Sequence, residues 1–171
     1  MNEAPVLERG QVVLLDTCVI IEAFRAKCWI AVTSHFSVET VAKCEEEVRT
    51  GNRRRPGYVE IDGAKLRAGL KKIHTVTDSE RARLALALPT SYSLDDGERD
   101  LLAHKLSRPD AVLIVSADRA AVYATLKLGW RERIISLEVA ARANGATPEL
   151  KGQYTEKWLS SACTDWMLKT R

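Results

Sequence analysis

Four acidic residues stand out by where they fall. Asp16 directly follows the apolar run Val12, Val13, Leu14 and Leu15, and Asp118 follows the apolar stretch AVLIVS and Ala117. Glu39 and Glu98 lie in runs that read as the first turns of helices. An acid after a buried parallel strand stands at the carboxyl edge of a sheet, where ligand sites of open α/β sheets gather. Four anions brought to one point repel each other unless a cation lies among them. Oxygen ligands without His or Cys suit Mg²⁺ or Mn²⁺ rather than zinc. One or two such ions can activate water and stabilise charge building on a phosphoryl group. Each acid also has a plain structural use. Asp16 can cap the helix behind it, and acids in a first helical turn suit the positive end of the helix. Yet Asp95, Asp96, Glu98 and Asp100 crowd into six positions, more than capping needs.

The elements that would carry these acids alternate. Strands are expected at 12–15, 29–33, 71–77, 111–116 and 133–137. Helices are expected at 17–26, 35–49, 63–70, 77–88, 93–106, after Asp118 to Gly129, and 137–144. Gly51, Asn52, Pro89 and Pro109 act as stops. Apolar strands with little polar alternation, separated by helices, predict a parallel sheet covered on both faces. A Gly/Pro/polar linker from Gly145 leads to a tail in which Trp158, Leu159, Ala162, Trp166 and Met167 could form one apolar helical face. That face could dock on the same domain or serve a homodimer or another partner.

The chain has 171 residues, enough for one compact domain, with ordinary globular composition. Its net charge of +3 permits a polyanionic partner without demanding one. Cys18, Cys28, Cys44 and Cys163 form no CxxC pair, which fits free thiols in a reducing cytoplasm and argues against zinc. The start, MNEAPVLERG, has acids and no long apolar run, unlike a signal peptide. No segment has the apolar length of a membrane span. His35, His74 and His104 are not at metal-ligand spacing and read as surface or satisfied histidines. Arg53, Arg54 and Arg55 adjoin a Pro-Gly turn, and Lys71 and Lys72 precede a strand. These five could guide RNA, because phosphate contacts need no sequence code. Arg119 could instead pair with a site carboxylate.

The run VVLLDTCVIIEAF resembles the opening of a PIN domain, in which an Asp ends the first strand. VTSHFSVETVAKC carries Glu39 where that family has a Glu in the helix after the second strand. LDDGERDLLAHKL resembles the branch with a Gly-Glu pair at a later helix start, which points to Glu98, with Asp96 and Asp100 as alternates. LIVSADRAAV brings the fourth acid to Asp118. The resemblance implies a three-layer α/β/α sandwich with a central, mainly parallel sheet over residues 11–144, and an extension over 145–171. It implies a Mg²⁺- or Mn²⁺-dependent endoribonuclease, of the kind found as VapC-like toxins beside an antitoxin protein. Asp16 would be the central metal ligand, with Glu39, Glu98 and Asp118 completing the set and Thr17 beside it.

Other chemistry fits less well. An aspartyl-nucleophile phosphatase of the haloacid-dehalogenase kind wants a second acid where Cys18 stands, and a receiver domain wants paired acids at the first strand end. A Rossmann cofactor domain wants GxGxxG after that strand, and the chain has none there. A non-catalytic PIN-like module that binds nucleic acid or protein is the alternative that stays open.

Overall fold

A computed structural model describes residues 7–51, 53–108 and 111–170. The expected stops Asn52 and Pro109, and the first six residues, lie outside these. Five strands form one parallel sheet: β1 (Val12–Leu15), β2 (Ser37–Val41), β3 (Lys72–His74), β4 (Leu113–Val115) and β5 (Ile134–Ile135). Their spatial order is β3-β2-β1-β4-β5. β1 is central, with Leu14 in register with Glu39 of β2 and Leu15 in register with Val115 of β4. The chain leaves β1 toward one edge and later returns to β4 on the other side. The crevice beyond the ends of β1 and β4 is therefore the topological switch point, the usual ligand position in such sheets.

Side-chain alternation along β1 sends Val13 and Leu15 to one core and Leu14 to the other. The first core is covered by α1 (Thr17–Arg25), α2 (Trp29–His35), α4 (Gly63–Gly69) and α8 (Leu137–Arg142). The second is covered by α5 (Asp78–Ala87), α6 (Asp96–Leu106) and α7 (Arg119–Lys127). α3 (Ala42–Arg49) bridges the two, giving Cys44 to one core and Val48 to the other. The result is the expected three-layer α/β/α sandwich. Among the described residues, no helix is long and apolar enough to cross a membrane.

Two expected elements differ. Residues 29–33 are helical, not a strand. Trp29 and Val32, three apart, are buried while Ile30 is exposed, so one helical face meets the core. Trp29 stacks on Phe24 at 5.0 Å and donates its indole N–H to the Lys65 carbonyl at 3.0 Å. Tertiary packing overrides the β-propensity of this run. Conversely, the helix expected over 35–49 divides into β2 and α3. The polar pair Glu39 and Thr40 disguises a buried strand. Both are partnered: the Thr40 hydroxyl donates to the Leu15 carbonyl at 2.7 Å, and Glu39 is held as described below.

The tail helix α9 (Glu156–Lys169) docks on α7, burying Leu159, Ala162 and Cys163 against Val122, Leu126 and Ile134. Met167 stays exposed. Residues 146–154 cross α1, where the Lys151 N–H donates to Glu22 Oε1 at 3.0 Å and Arg25 donates to the Glu149 carbonyl at 2.9 Å.

Candidate functional site

Three helices begin at the switch point, and each starts on an aspartate. Asp16 caps α1, its Oδ1 accepting the Val19 N–H at 3.1 Å. Asp95 caps α6 through the Glu98 N–H at 2.8 Å, and Asp118 caps α7 through the Ala121 N–H at 3.0 Å. Each side chain satisfies an orphan donor of a helix end. That structural use does not exhaust Asp16, which is only 3% exposed. Its Oδ2 also accepts the Ser116 hydroxyl at 2.7 Å, a bond that ties the end of β1 to the end of β4. Burial pushes the Asp16 carboxyl above its usual range; bonds from Cys18, Ser116 and Val19 oppose this, and the Asp95 charge adds to it.

Glu98, in the first turn of α6, sees the other acids together. Burial first, then the charges of Asp118, Asp95 and Asp16, raise its carboxyl to about 8. Glu47 of α3 joins from the other side: Thr17 donates its hydroxyl to Glu47 Oε2 at 2.6 Å. Gly97 makes room for it, since a Cβ there would lie 2.9 Å from Glu47 Oε2 and 3.2 Å from Cys44 Sγ. Cys18 donates to Asp16 Oδ1 at 3.1 Å. Burial, then the Asp16 charge, raise both thiols, Cys44 to about 12, so both stay neutral at neutral pH and the charged donors here are oxygens.

The donor set therefore suits a hard divalent cation. The acids stand apart, as uncompensated anions do: among the described residues, no three of their oxygens come within 4.8 Å of one another.

No family model matches the chain, and no curated protein matches it either.

The other expected residues lie elsewhere. Glu39 is on β2, not in a first helical turn, and its carboxylate is taken by His74 Nε2 at 2.5 Å and Arg108 Nη1 at 2.8 Å. Burial would raise Glu39, but these two partners outweigh it and hold the carboxyl below its usual range. Its neighbour His104 lies six residues beyond Glu98 on α6, about 9 Å along the helix. Asp96 is exposed and pairs with Arg99. Asp100 is buried and clamped by Arg81 through two bonds, 2.7 and 2.9 Å. Arg119 pairs with Asp165 of α9 at 3.0 Å, not with a site carboxylate. Arg53, Arg54 and Arg55 are exposed in the turn after α3; Lys71 and Lys72 are exposed at edge strand β3. β3 is two strands from β1, about 10 Å away.

Sequence spacing also missed a second cluster. Glu39, His74 and His104 offer ligand atoms within 4.8 Å of one another. Arg108 Nη1 already sits among them, 3.2 Å from each histidine Nε2. The two rings stack at 3.9 Å, so their in-plane lone pairs run side by side rather than converging as metal ligands do. Arg108 is the cation of this cluster, which joins β2, β3 and α6. Asp95 was legible as one of the four crowded acids before and within α6, while Glu47, Cys18, Cys44 and Ser116 carried no signal of their own at this site beyond the Glu45–Glu46–Glu47 run that Glu47 ends.

Proposed function

We propose that this chain is a metal-dependent endoribonuclease of PIN type, hydrolysing RNA phosphodiester bonds in the cytoplasm. The observation that carries the reading is Glu98: a half-buried acid facing Asp16, Asp95 and Asp118 at the switch point, its carboxyl raised to about 8. Acids gathered at one edge repel each other, and a divalent cation among them would relieve that repulsion. Asp16, Glu98 and Asp118 would hold Mg²⁺ or Mn²⁺, with Glu47 in the place expected of Glu39. Bound there, the ion supplies an activated water and neutralises charge on the phosphoryl oxygens. Ser116 and the α1 N-terminus fix the Asp16 carboxylate, and Thr17 fixes Glu47. Arg53, Arg54, Arg55, Lys71 and Lys72 would draw the RNA backbone toward the sheet edge by charge alone.

The test is cleavage of a mixed single-stranded RNA with Mg²⁺, with Mn²⁺ and with chelator, beside Asp16→Asn. Cutting that needs the metal and vanishes in the variant is expected. A folded wild type that cuts nothing under any metal overturns the reading and leaves a binding module. Because the resemblance is to toxin nucleases, induced expression is expected to arrest growth, and Asp16→Asn to relieve it.

A further inference from the structure

A cavity of about 270 Å³ opens between residues 89–94 and α7. We propose that it is a nucleobase subsite, taking one base of the single-stranded RNA whose phosphodiester lies at the acidic cluster. The proposal rests on the nuclease reading for its place in a reaction, and on four observations for the binding itself.

The first is position. The turn bearing Tyr92 runs directly into Asp95, and Ala120, which lines the cavity, is in the first turn of α7 behind Asp118. The cavity lining therefore adjoins the starts of α6 and α7, where Asp95 and Asp118 stand. The second is Tyr92 itself, 79% exposed. Its turn is held by bonds that do not use the ring: the Ser91 N–H to the Leu88 carbonyl at 2.9 Å and the Ser93 hydroxyl to the Thr90 carbonyl at 2.8 Å. The fold leaves this aromatic in water, beside a second lining aromatic, Tyr123.

The third is shape. Ala120 and Ala124, four apart on α7, leave the space that larger side chains would fill. The volume is below the ~300–1,000 Å³ of ordinary small-molecule sites, which suits one planar ring system rather than a whole cofactor. The fourth is charge. Lys127 lines the cavity, and Lys169 lies 5.9 Å from the ring of the lining Tyr123; Arg119, 6.0 Å from that ring, is already paired with Asp165. Cations around an aromatic wall, next to acids that repel phosphate, match a nucleotide whose base stacks while its backbone is neutralised. Stacking of this kind tolerates any base.

The experiment is anisotropy of a fluorescent single-stranded RNA in chelator, where nothing is cut, on the full chain. Tyr92→Ala and the cavity-filling Ala120→Leu should each weaken binding by roughly 5- to 150-fold. Lys127→Gln should reduce the salt slope by about one. In metal-dependent cleavage, Tyr92→Ala should raise KM far more than it lowers kcat. Equal binding by wild type and both cavity variants overturns the subsite. So does a wild type that binds no RNA in chelator, because stacking and these cations need no metal ion. RNA bound through Tyr92 but cut under no metal overturns the nuclease reading alone and keeps the subsite.

Discussion

Thr17 donates its hydroxyl to Glu47 Oε2 at 2.6 Å, setting a glutamate of α3 beside the aspartate that ends β1. Glu39, by contrast, is spent on His74 and Arg108. The two glutamates should therefore separate in experiment. Glu47→Gln and Thr17→Val are expected to weaken Mn²⁺ binding by about 10- to 100-fold, the scale for groups that orient a metal site. Glu39→Gln should leave Mn²⁺ affinity unchanged and cost about 1–3 kcal/mol of stability, as a buried charged bond is lost. Calorimetric titration and urea unfolding read the two effects; the reverse pattern would return Glu39 to the site.

Gly97 has no unusual backbone angle, yet the space beside it is closed. A methyl group there meets Glu47 Oε2 at 2.9 Å and Cys44 at 3.2 Å. Gly97→Ala should displace Glu47 and cut metal affinity, while melting little below wild type because Ala favours the helix by about 1 kcal/mol. A variant with wild-type metal affinity and activity would show that Glu47 is not needed where it stands.

Glu98 sets a pH dependence with a definite sign. Unfolded, it releases its proton near 4.5; folded and free of metal, it keeps it to about 8. Between those values the folded state holds the extra proton, so stability falls as pH rises through that window. A divalent ion competes for the deprotonated acid, so its affinity rises with pH and binding releases protons. Mn²⁺ should thus raise Tm more at pH 8 than at pH 6, and Glu98→Gln should remove most of that difference. Equal shifts at both pH values would take Glu98 out of the metal site.

Asp100 is held by Arg81 on the opposite side of α6 from this chemistry. Arg81→Ala leaves a buried carboxylate without the two bonds it accepts from that guanidinium and should cost about 1–3 kcal/mol. Activity per folded molecule should not change. A loss of kcat at full folding would make Asp100 part of the site.

Periodicity and strand ends made β1, β4, α1, α6 and α7 readable, because apolar runs bounded by capping residues report burial and termination locally. Asp16 and Asp118 were legible for the same reason, each being the residue at which a strand gives way to a helix. Three-dimensional packing decided the rest. Whether residues 29–33 coil or extend depends on a core that reaches them from Phe24 and Lys65. Glu39 looked like a helix-start acid because its partners, His74 and Arg108, are 35 and 69 residues away. Nothing in the sequence separates Glu47 from Glu45 and Glu46, because only the close approach of α3 to α1 and α6 brings it to Thr17 and Gly97. Local sequence records which residues want burial or a helix end; which charges meet is set by how the layers stack.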